Sequence, residues 1–134
     1  MRQNGATFPF AIESKYRPLL APIGVTADRA WARIGSDRLT VKFGFLGCTT
    51  PLANITCVEI TGPYKAYRAI GARGSFADSG ATYGSTTTGG VCMEFTEPIS
   101  ALDPTGHVRN EALTVTVADL DGFAAALRKA TGLG

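Results

Sequence analysis

The chain has one histidine, one tryptophan and three cysteines among 134 residues, and it holds no stretch of about 18 consecutive apolar residues. The missing apolar run excludes a membrane-crossing helix. The opening Met-Arg-Gln-Asn-Gly-Ala-Thr lacks the apolar run of a signal peptide, which predicts a cytoplasmic chain. His107 is the sole imidazole, and Gly-x-Ser-x-Gly, His-Glu-x-x-His and Gly-x-x-x-x-Gly-Lys-[Ser/Thr] are all absent, so the familiar templates of hydrolases, zinc proteases and nucleotidases do not apply. Cys48, Cys57 and Cys92 form no Cys-x-x-Cys pair and lie at no zinc-ligand spacing from a histidine; the expectation is three reduced, buried thiols, with no metal and no cofactor. No charge run occurs, and a pI near 8.5 falls short of a nucleic-acid footprint, so no nucleic acid is expected.

The composition is that of a folded globule: 45% apolar and 18% charged, with sixteen glycines and seven prolines for turns. The length suits one domain spanning 1–134. Net charge is +2, unevenly placed: ten basic and four acidic residues fall in 1–77, three basic and seven acidic in 78–134. Such polarity fits an anionic partner for one face or a head-to-tail self-contact, unless the two halves interleave and cancel.

Period-2 alternation marks the strands. Phe8, Phe10 and Ile12 alternate with Pro9, Ala11 and Glu13, and Pro9 predicts an edge position. Residues 15–25 hold Pro18 and Pro22 and read as an extended crossing segment. Residues 29–34, the turn Gly35-Ser36-Asp37 and residues 38–44 form a β-hairpin. Short strands follow at 48–50, 55–60, 74–77 and 81–83, then 91–95 ended by Pro98, and 113–117; residues 62–70 read as a turn or two of helix and 100–111 as a loop. Asp119 caps a helix in which Leu120, Phe123, Ala124 and Leu127 share one face and which Gly132 ends. Asn54-Ile55-Thr56 matches a glycosylation sequon, but in a cytoplasmic chain its role is structural.

The run 37–60, with its strand ending in Gly44, polar Cys48-Thr49-Thr50, turn Pro51-Leu52-Ala53-Asn54 and strand Ile55 to Ile60, resembles the opening meander of bacterial pleckstrin-homology-like (PH-like) domains. Gly90-Val91-Cys92-Met93-Glu94-Phe95-Thr96-Glu97-Pro98 looks like a segment of short actinobacterial proteins of that fold. The resemblance implies an α+β, mainly β architecture: a bent antiparallel barrel of about seven strands capped by a C-terminal helix, here with an extra N-terminal strand. It supports fold more than function.

Two groups of residues are candidates for binding. Tyr64, Lys65, Tyr67 and Arg68, with Arg73, join cations to flat aromatic area, which suits an anionic headgroup or phosphate; the plainer alternative is a lid whose tyrosines cover one end of the sheet. Trp31 stands between Arg29 and Arg33, near Lys42. If Ala30 and Ala32 face the core, Trp31 is outside in an interface composition; if Trp31 faces inward, the arginines only flank it. Gly84-Ser85-Thr86-Thr87-Thr88-Gly89-Gly90 reads as a mobile hairpin loop or, less commonly, an anion cradle. Asp119, Asp121, Glu94 and Glu97 read as cap and surface charges. The expectation is therefore a non-catalytic PH-like module that binds a protein or peptide partner or itself. The alternative is a helix-grip carrier in which small Ala124, Ala125 and Ala126 leave room for an apolar ligand or lipid.

Overall fold

The computed structural model describes residues 6–26, 28–63, 70–74, 80–102 and 109–133. The first sheet follows the chain in order: β1 (Ala6–Pro9), β2 (Ala30–Ile34), β3 (Arg38–Phe43) and β4 (Leu46–Pro51), each antiparallel to the next. Its inner face is Phe8, Ala30, Ala32, Ile34, Leu39, Val41 and Phe43, as the alternation requires. β1 is an edge strand, and Pro9, with no N–H to give a ladder, sits there without cost.

Between β1 and β2 the structure departs from the extended crossing expected for 15–25. It forms three consecutive short helical pieces, Ser14–Tyr16, α1 (Arg17–Leu20) and Ala21–Ile23. Each proline lies in the first turn of its piece, where the missing N–H is not needed. Gly24, at φ +80°, ends the run.

The second sheet holds β5 (Ile55–Thr61), β6 (Gly71–Gly74), β7 (Gly80–Gly84), β8 (Gly90–Ile99) and β9 (Asn110–Val115) in the order β5-β8-β9-β7-β6. The chain leaves β7, skips one position to lay β8 beside β5, and inserts β9 into the gap, so β7 and β9 run parallel. This corrects the expected barrel: the described residues form nine strands in two sheets with one parallel pair, and the sheets do not close. β8 also runs past Pro98, which lies where the β8–β9 register shifts between Glu94 and Ile99 and no ladder bond is demanded. The expected helical turn at 62–70 falls largely on 64–69, and parts of 74–77 and 100–111 likewise lie outside the described residues.

One core joins the sheets. Phe43 of β3 stacks on Tyr83 of β7 at 5.0 Å and 4°, and Phe10 packs on Phe43 at 5.2 Å. Helix α2 (Leu120–Thr131) closes it: Phe123, Ala124 and Leu127 are buried, and Phe8 meets Phe123 edge-on at 5.2 Å. The Asp119 carboxylate accepts the Gly122 N–H at 3.0 Å, and Gly132 takes φ +75° at the other end, so both caps stand where the sequence put them. Ala11 N–H to Thr116 C=O and Ala118 N–H to Pro9 C=O tie the N-terminal segment to the end of β9. Among the described residues no helix is long and apolar enough to cross a membrane.

Candidate functional site

The outer face of the first sheet gathers the cations. With Ala30 and Ala32 buried in β2, the pleat turns Trp31 and Arg33 outward, which settles the question the sequence left open. The register sets Pro9, Trp31, Lys42 and Gly47 in one row across the four strands and Thr7, Arg33, Thr40 and Thr49 in the next. The Arg33 guanidinium lies 4.8 Å from the centre of the Trp31 ring, and its Nε donates to Thr7 Oγ1 at 3.1 Å. A planar cation held over an indole by a second bond is pre-positioned for a carboxylate. Trp31 is half-buried.

Phe45, which the sequence analysis did not single out, extends this face. It sits in the β3–β4 turn and is 70% exposed, an unusual exposure for so large an apolar ring. It is nonetheless held in place. Its N–H donates to Ile23 C=O at 3.0 Å, and Gly44 N–H donates to Arg29 C=O at 2.7 Å. A Cβ on Gly24 would come within 3.0 Å of the Phe45 ring, and one on Gly44, at φ +66°, would strike Ile23 O at 2.2 Å. The Arg29 guanidinium stands 5.9 Å over the same ring. The signal in the sequence is an aromatic at a hairpin tip between Gly44 and Gly47. Trp31, Thr40, Lys42, Phe45 and Thr49 line a shallow depression on this surface.

Among the described residues the one ion pair is Lys15 Nζ with Glu13 Oε2 at 3.8 Å, so Arg29, Arg33, Arg38 and Lys42 face solvent without a carboxylate. The structure thus brings together Arg29, Trp31, Arg33 and Lys42. Tyr64, Lys65, Tyr67 and Arg68 lie outside the described residues, as does His107, and Arg73 belongs to β6, at the edge of the other sheet.

The loop after β7 is not a mobile hairpin. Ser85 and Thr86 are buried, Ser85 Oγ donates to Ala11 C=O at 2.7 Å, and the anion it receives is the chain's own. The Thr86 hydroxyl and the Thr87 N–H, the latter at 3.0 Å, donate to Glu13 Oε1 and hold that carboxyl below its ordinary range. Asn54 has the structural role expected: its amide donates to Thr50 Oγ1 and Glu97 C=O, both at 3.0 Å, and accepts from Glu97 N–H at 2.8 Å.

All three cysteines are free thiols in half-buried surroundings. Burial pushes Cys48 up to about 11, which leaves it protonated and inert at neutral pH. Cys57 and Cys92 project from the outer face of β5 and β8, where Cys57, Glu59 and Glu94 place their ligand atoms within 4.8 Å of one another. The carrier alternative needs space beside α2, where Phe123 and Leu127 are buried and Phe8 meets Phe123 edge-on. An apolar cleft of about 400 Å³ opens elsewhere, lined by Pro9, Phe10, Ile12, Ala21 and Val25 with Arg17 at its side.

No family model matches the chain, and no curated protein or solved structure shows significant similarity to it.

Proposed function

We propose that the chain is a non-catalytic binding module that docks an acidic segment of a protein or peptide partner on the outer face of its first sheet. The observation that carries this reading is the juxtaposition of two aromatic rings, Trp31 and Phe45, each under its own arginine, on a face whose cations have no carboxylate among the described residues. Tryptophan and arginine are the side chains most enriched where binding energy concentrates, and charge complementarity selects an acidic partner. Kinship with bacterial PH-like domains belongs to this reading; the β2-β3-β4 meander and the closing helix support it, while the passage of β5 into the other sheet and the parallel β7–β9 pair depart from it. A second copy also offers an acidic surface, because Glu59, Glu94, Glu97 and Glu111 are exposed on the other sheet.

Trp31 is the chain's single tryptophan, so its emission reports the site directly. Titration with a glutamate-rich peptide should change that emission saturably, and a lysine-rich peptide of equal length should not. Arg33→Gln should weaken the glutamate-rich peptide by about tenfold or more, and Phe45→Ala likewise, as expected for central contacts of an interface. Equal response to both peptides, or affinity indifferent to both substitutions, would overturn the proposal. A concentration-dependent dimer in light scattering would identify the second copy as the acidic partner.

A further inference from the structure

On the opposite side of the molecule, four metal-ligating residues occupy a single block of the β5–β8 ladder. Cys57 pairs with Glu94 and Glu59 with Cys92, so thiols lie on one diagonal and carboxylates on the other. All four share the outer face, since Val58 and Met93 between them are buried. The Cys57 thiol and the two carboxylates have ligand atoms mutually within 4.8 Å, and Cys92, opposite Glu59 in the ladder, stands outside that cluster on the same face.

Uncompensated, this arrangement is unfavourable. Two carboxylates on adjacent strands repel each other, and among the described residues neither Glu59 nor Glu94 has an ion-pair partner. The charge of Arg128 acts on Cys57, but its Nη2 is committed to the Val58 carbonyl at 2.9 Å, and it forms no ion pair with either carboxylate. A divalent cation would neutralise the pair and use the thiols at the same time.

We propose that Cys57, Glu59, Glu94 and Cys92 form a site for a thiophilic divalent cation of the zinc type. The donor set decides the class. Calcium takes six to eight oxygens and magnesium an octahedral oxygen shell, whereas zinc accepts sulfur and carboxylate oxygen in a four-coordinate tetrahedron. With bonds of about 2.0 to 2.3 Å, tetrahedral zinc holds its ligand atoms roughly 3.5 Å apart, so the three nearest donors must close by about 1 Å. Glu59 and Glu94 are exposed, so their side chains have room to turn toward a bound ion. Each thiol that ligates does so as a thiolate and releases its proton to the buffer. No electron transfer is involved. This site does not rest on the basic face of the first sheet, although Glu59 and Glu94 also belong to the acidic surface that a second copy would present to it.

Cobalt(II) titration of the full chain under a non-chelating reductant tests the proposal, with zinc added afterwards. The expected result is one cobalt per chain with a thiolate-to-metal charge-transfer absorption that zinc abolishes by displacement. Cys57→Ser should remove most of that absorption. Glu94→Gln and, separately, Glu59→Gln should weaken zinc by more than about tenfold, the loss already typical when only an outer partner of a ligand is removed. Both glutamates are exposed and repel each other, so these variants should melt, unliganded, at the parent's temperature or slightly above it, and zinc should raise the melting temperature of the parent chain but not theirs. Cobalt bound with no charge-transfer absorption, or zinc affinity unchanged in both glutamate variants, would overturn the site.

Discussion

Glu13 shows how much one side chain fixes here. It is three-quarters covered, and the carboxylate draws together the loop after β7 and the first helical turn, accepting from Thr86 and Thr87 while Lys15 stands alongside. The Thr86 bond, then the Thr87 bond, depress its pKa below the ordinary 4.5. A carboxyl depressed in the folded state stabilises above its unfolded pKa, and that contribution is lost as pH falls through the folded value. Glu13→Gln keeps the shape but removes the charge, and should cost about 1 kcal/mol at pH 7, a figure lowered for partial solvation. Urea unfolding of both proteins at pH 7 and pH 3 checks this: the gap should narrow at the lower pH. A gap that stays constant would mean the charge contributes nothing.

At the scale of elements, α2 was legible because everything that defines it is local: an aspartate cap, apolar residues at helical spacing and a terminal glycine. The β2–β3 hairpin was legible for the same reason, and its alternation fixed which side chains share a face, though only the observed burial of Ala30 and Ala32 decided which face was inside. The failures have a common cause. The short helical run after Ser14 hides behind two prolines that look like breakers until their first-turn positions are known. The insertion of β9 between β8 and β7 depends on partners far apart in sequence, which no local period records. The candidate site divided the same way: Trp31, Arg33 and Lys42 carried a compositional signal, whereas Phe45 became conspicuous only when the turn left it exposed. Since Phe123 is fully buried against Phe8, Phe123→Ala should cost about 3 to 5 kcal/mol by leaving a cavity, and lower the melting temperature by more than about 10 °C. A calorimetric scan that moves by only a degree or two would show that the helix end repacks.

For the molecule as a whole, the question is whether two sheets that do not close on each other unfold as one. Their separation is topological, not energetic. Phe43 of the first sheet stacks on Tyr83 of the second, and the Tyr83 hydroxyl donates to Ala101 C=O. Phe10 bridges to Val117, and the buried Ser85–Thr116 hydroxyl pair at 3.0 Å lies beneath the same crossing. Neither sheet can lose its inner face without exposing the other's, so the chain should unfold in one cooperative step. Trp31 reports the first sheet alone, while far-ultraviolet circular dichroism reports all strands and α2 together. Their urea transitions should coincide in midpoint and slope. Leu20→Ala, in the helical run beside the first sheet, should shift both midpoints by the same amount, because Leu20 is fully buried in the shared core. A tryptophan transition that precedes the dichroism change would show instead that the first sheet, and the basic face it carries, opens as a separate unit.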